Sequence, residues 1–163
     1  MDAYKCIVTK RDTRAYTNKA LSEESLSRIL QAGRMAGSAK NRQPCRFIVL
    51  EKEERKRELA ACGEFAAYIP SAPVVVAIAI PERAREFDAG RAAQNMMLAA
   101  WSEGITSCPV TMHDADCARR VLGLPDDHRV AIVLAFAYPD RSQPMSTGRR
   151  RIAIEELVHR DRW

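Results

Sequence analysis

Asp88-Ala89-Gly90-Arg91-Ala92-Ala93-Gln94-Asn95-Met96-Met97-Leu98-Ala99-Ala100-Trp101 decides the fold. No proline interrupts it, Asp88 supplies an acid for its first turn, and Gly104 lies just beyond it, so it reads as one helix. Its apolar residues nearly encircle the axis, the pattern of a helix enclosed by protein on most sides. In a chain of 163 residues, that much enclosure predicts a second copy of the chain over the helix.

Outward from this helix, strands and helices alternate. Val74-Val75-Val76-Ala77-Ile78-Ala79-Ile80 is a β-branched run behind Pro73 and reads as a strand buried on both faces. Val130–Ala137 is a second such run, Arg46–Glu51 a third strand, and Ile105–Val110 an edge strand. Ser22 is placed to cap a helix whose Leu26, Ile29, Leu30 and Gly33 share one face, with Glu23 and Glu24 in its first turn. Glu53–Ala61 is charged and helical, Ala3–Lys10 is a short amphipathic stretch, and Asp114 opens a helix that stops at Gly123-Leu124-Pro125. No repeat or linker divides the chain. The expectation is one α+β domain over residues 1–163, a layered α/β/α arrangement with a mixed central sheet flanked by helices. The tail from about residue 141 to 163 has no evident partner within the chain.

Composition excludes several classes. The charged fraction of 29% and the shortness of the Pro70–Ile80 apolar run argue against a membrane span. Lys5, Lys10, Arg11, Arg14 and Lys19 occupy the first twenty residues without an apolar block, so no secretory signal is read and a cytoplasmic location is expected. Five cysteines, odd in number and without a C-x-x-C pair, argue against a disulfide framework and a zinc site. His113, His128 and His159 lack partners at ligand spacing, so no metal is expected. No G-x-G-x-x-G follows a strand and no phosphate-loop motif occurs. The net charge of +5 concentrates in two knots, Lys10-Arg11-Asp12-Thr13-Arg14 and Arg149-Arg150-Arg151. Two short clusters suit a phosphate pocket better than a nucleic-acid track, and neither is interleaved with aromatics for base stacking. The bland alternative for the first knot is a set of cations ending a helix, and for the second a solvated surface.

Six segments, in order, resemble the FMN-dependent nitroreductase family. Lys10-Arg11-Asp12-Thr13-Arg14-Ala15-Tyr16 is similar to its basic opening, and Ser38-Ala39-Lys40-Asn41-Arg42-Gln43-Pro44 to its amide-bearing loop. Ala72-Pro73-Val74-Val75-Val76, Asp88–Ala100, Gly104-Ile105-Thr106-Ser107-Cys108 and Leu122-Gly123-Leu124-Pro125 complete the series. The chain departs from the pattern at Asp12, Gly37, Cys45, Thr111 and Ala137.

The resemblance implies a homodimer with FMN at the subunit interface. Arg11, Arg149 and Arg151 would hold the phosphate, and Arg14 or Lys10 would reach the ribityl chain and the N1/O2 side of the ring, with Asp12 neutralised by a neighbouring cation. Ser38, Ala39, Lys40, Asn41 and Gln43 would come from the other subunit. Pro109, Val110 and Thr111 would lie on one ring face with a backbone N–H near N5. No side chain is expected to act as a catalytic residue, because FMN carries the chemistry. The implied reaction is ping-pong hydride transfer from NADH or NADPH to a small electron-poor acceptor such as a nitroaromatic or quinone. The alternatives are a flavin-binding protein without turnover and a basic nucleic-acid-binding module.

Overall fold

The structure is a computed structural model, and it describes residues 2–143 and 150–163. In chain order it runs α1 (Ala3–Thr9), α2 (Glu23–Arg34), β1 (Arg46–Leu50), α3 (Glu53–Ala60), β2 (Val74–Pro81), α4 (Glu86–Ser102), β3 (Thr106–Val110), α5 (Ala115–Leu122), β4 (His128–Ala137) and α6 (Ile154–Leu157). No described helix is long and apolar enough to cross a membrane.

The strands form one sheet in the order β1-β2-β4-β3. All three pairings are antiparallel, which corrects the expected mixed sheet. The only parallel component among the described bridges is the single pair Asp12 with Ser107, at the free edge of β3. Alternation of helices and strands along the chain does not by itself set strand direction: α3 returns the chain so that β2 runs against β1.

Side chains alternate across the sheet and build a core on each face. Val74, Val76, Ile78 and Ile80 of β2, with Leu134 and Phe136 of β4, face α2 and α4. Val75 and Ala77, with Val133 and Ala135, face α3 and α5. Strands buried on both faces need helices on both sides, so the layers are α/β/α as expected.

Local chemistry sets the helix ends. The Ser22 and Asp114 side chains accept from Ser25 N and Cys117 N, and Gly123 closes α5 at φ 64°, a left-handed turn that suits glycine. α4 starts two residues before Asp88, at Glu86. It is two-sided rather than encircled: Ala89, Ala92, Ala93, Met96, Met97 and Ala100 are buried, while Arg91, Gln94 and Asn95 are exposed. The small alanines let α2 approach closely, and Glu103 locks the pair through Ser25 Oγ (2.7 Å) and Arg28 Nε (2.7 Å). At their contact a Cβ on Gly33 would collide with the Met96 side chain, with Cγ at 2.9 Å and Phe47 Cζ at 3.1 Å. Met96 is itself fully buried and has nowhere to retreat. Gly33→Val is therefore expected to destabilise the fold by about 1–3 kcal/mol, read as a lowered urea midpoint at unchanged slope.

The cysteine reading also needs correction. Cys62, just after α3, and Cys117, in α5, form a disulfide with a Cα–Cα distance of 5.6 Å, leaving Cys6, Cys45 and Cys108 free. An odd count says nothing about which two thiols meet. Here α3 and α5 share one face of the sheet, with Leu59 and Ala118 fully buried beside the pair.

Candidate functional site

The basic segment after α1 runs along the free edge of β3. Lys10 forms an ion pair with Asp12 and donates to Met97 Sδ at 3.4 Å, and its side chain is 10% exposed. The carboxylate at position 12 is thus neutralised by Lys10. Arg11 turns back instead, its guanidinium donating to the carbonyls of Val8 (3.1 Å) and Lys10 (2.8 Å). In the protomer it caps α1, as the bland reading of this knot anticipates.

Arg14 is exposed, and its guanidinium lies over the Tyr68 ring, 5.0 Å from the centroid. It is held charged more firmly than an ordinary arginine, first through hydrogen bonding to the Cys108 side chain. The Tyr68 hydroxyl donates to the carbonyl of Pro109 at 3.2 Å and, more weakly, to that of Cys108 at 3.4 Å. Tyr16 meets Tyr68 edge to face at 6.3 Å between centroids. Burial is the main cause that pushes both phenols well above their usual range, so both remain neutral hydroxyls. The result is a fixed cation on an aromatic platform, tied to the end of β3 where Pro109, Val110 and exposed Thr111 follow.

Three hydroxyls in this region find no partner among the described residues: Tyr16, Thr106 and Ser107. Thr106 and Ser107 are essentially fully buried. The exposed Arg14 guanidinium on its aromatic seat suits an anionic, hydroxyl-bearing ligand such as FMN.

The second expected group sits elsewhere. Ser38–Gln43 follows α2 as a tight turn with a 3-10 segment at Ala39–Asn41. Gln43 N donates to Ser38 Oγ (2.8 Å) and Gln43 Nε2 to Asn41 Oδ1 (3.1 Å). Arg91 of α4 anchors the preceding Gly37 carbonyl at 2.6 Å, and Arg46 of β1 anchors that of Gln43 at 2.9 Å. Lys40, Asn41 and Gln43 have φ of 51°, 53° and 48°. Asparagine tolerates this region, whereas lysine and glutamine pay a steric cost, and such local strain clusters at binding sites. The chain therefore brings Lys10, Asp12 and Arg14 together with Pro109–Thr111, but anchors Ser38–Gln43 on β1 and the first half of α4. Arg151 is exposed, and Arg149 lies outside the described residues.

Sequence reading missed Tyr68 and the seat that its ring gives Arg14. The aromatic at position 68, shortly before the Pro73 strand, was the available signal; its meeting with Arg14 across 54 positions had none.

The model of the nitroreductase family matches residues 7–80 and 67–138, well over half the chain. The chain belongs to the nitroreductase family. It is 26% identical over 173 residues to a protein of Archaeoglobus fulgidus whose name pairs NADH dehydrogenase with NAD(P)H nitroreductase, spanning 99% of each. It is 25% identical to an NADPH-flavin oxidoreductase of Vibrio harveyi, spanning 96% of this chain and 72% of that one. A nitroreductase of Desulfovibrio desulfuricans solved in complex with FMN superposes with a TM-score of 0.86 at 26% identity, over 100% of this chain and 98% of that one.

Proposed function

We propose that the protein is an FMN-dependent NAD(P)H oxidoreductase that works as a homodimer with FMN between its subunits. The observation that carries this reading is Arg14, a charged guanidinium laid on Tyr68 beside the end of β3. It is supported by the FMN complex of the D. desulfuricans relative and the flavin oxidoreductase name of the V. harveyi one.

When bound, FMN relays hydride from NADH or NADPH to a small electron-poor acceptor, a nitroaromatic or a quinone. The residues of this chain bind and orient. Arg14 and Lys10 supply positive charge toward the ribityl chain and the pyrimidine edge, where a cation favours the reduced form. Arg11, Arg149 and Arg151 complete the phosphate's charge balance once a partner subunit is in place. Pro109, Val110 and Thr111 form a floor along one side, with Tyr68 pinning the Pro109 carbonyl. Ser38, Ala39, Lys40, Asn41 and Gln43, anchored apart from this floor, contribute to the site of the other copy. Exposed Ile152, Ile154, Leu157, Val158 and Trp163 give the tail an apolar surface that a second copy can cover.

Purified protein is expected to be yellow and dimeric by light scattering; a colourless monomer that takes up no added FMN would refute the reading. Donor and acceptor sharing one face must bind in turn. Initial-rate plots at several fixed acceptor concentrations are therefore expected to give parallel lines, and intersecting lines would exclude the shared face.

A further inference from the structure

The turn at Ala39–Arg42 and the approach to α4 enclose a groove of about 570 Å³. Lys40 and Arg42 line it from the turn, Arg83 and Arg85 from the connection after β2, and Phe87 and Asp88 from the first turn of α4. Four cations face one carboxylate. None of the four forms an ion pair among the described residues, and all four are exposed.

Their isolation is arranged by the local sequence. In Glu82-Arg83-Ala84-Arg85-Glu86 the acids flank the two bases, and both acids are drawn away to Arg129, Glu82 at 3.7 Å and Glu86 at 2.7 Å. Arg83 and Arg85 are left without a counter-charge on the groove side. The positive end of a 17-residue helix adds to them. Phe87 is 72% exposed and carries the Arg91 guanidinium 5.7 Å from its ring centroid, so it stands as a flat plate at the groove's rim. Concentrated cations repel one another unless a multivalent anion joins them, and arginine forks match phosphate oxygens. An exposed aromatic plate beside them suits a planar base.

We propose that this groove binds the adenosine 2′-phosphate half of the nicotinamide donor, so that the protein prefers NADPH to NADH. The assignment rests on the flavin reading above, since the same turn is the one offered to the partner's FMN. The 2′-phosphate is the group that separates the two donors, and it meets the unpaired arginines.

Calorimetric titration of the protein as purified with adenosine 2′,5′-bisphosphate and with adenosine 5′-monophosphate tests this directly. The bisphosphate is expected to bind about 10-fold or more tightly, as one or two charge-assisted phosphate contacts imply. In an Arg83→Ala/Arg85→Ala variant that advantage should shrink to roughly 3-fold or less, and the NADPH-to-NADH ratio of kcat/KM should fall with it. Equal binding of the two nucleotides by the native protein overturns the proposal, as does an advantage that survives in the variant. A single-stranded oligonucleotide that displaces the bisphosphate as readily as excess bisphosphate itself also overturns it, marking a general polyanion surface. A yellow, active protein without nucleotide discrimination refutes the groove alone. A flavin-free protein that still discriminates refutes the flavin reading and supports the groove.

Discussion

Replacing Arg14 by alanine is expected to weaken FMN retention roughly 10- to 100-fold, the loss of one charge-assisted hydrogen bond worth about 1.5–3 kcal/mol. The size follows from how the side chain is held. Its guanidinium already rests on Tyr68, so less conformational freedom remains to be lost when an anion arrives. Lysine should restore only part of the affinity, because an ammonium keeps the charge but neither stacks on the phenol ring nor offers a planar fork. Fluorescence titration with FMN measures both variants, and Arg57→Ala serves as a control, since Arg57 pairs with Glu53 on the exposed surface of α3. An unaltered flavin affinity in the Arg14→Ala protein would remove this residue from the cofactor site.

Reduction of the Cys62–Cys117 bond should cost up to about 4 kcal/mol of stability in the chain-entropy treatment, given a sequence separation of 55 residues. Urea unfolding with and without a dithiol reductant gives the difference, and the Cys62→Ala/Cys117→Ala protein should behave like the reduced form. Thiol titration under denaturing conditions provides an independent reading: three reactive thiols before reduction, matching Cys6, Cys45 and Cys108, and five afterwards. Five thiols at the outset, with a urea midpoint indifferent to reductant, would show the two cysteines unlinked.

What the sequence could reveal follows the range of each interaction. Helix ends were legible because Ser22, Asp114 and Gly123 act on backbone groups within a few positions. The central strands were legible because a run such as Val74–Ile80 admits no solvent-facing side. Strand direction was not, since α3 could have led β2 back into the sheet either way, and no residue between them marks the choice. The disulfide joins α3 to α5 through a packing arrangement that no cysteine count contains. The candidate site divides along the same line. Basic and amide residues announced themselves as a series, whereas the seat that Tyr68 provides for Arg14 arises only when the two segments meet at β3.

The free side of β3 bears on how the molecule can be handled. Asp12 bridges Ser107, and Pro109 presents no amide hydrogen, so this margin of the sheet offers little to an approaching strand. A version shortened past Tyr16 would uncover the margin, and the bared backbone could then recruit neighbouring molecules into aggregates. Engineered truncations should therefore spare the N-terminal segment.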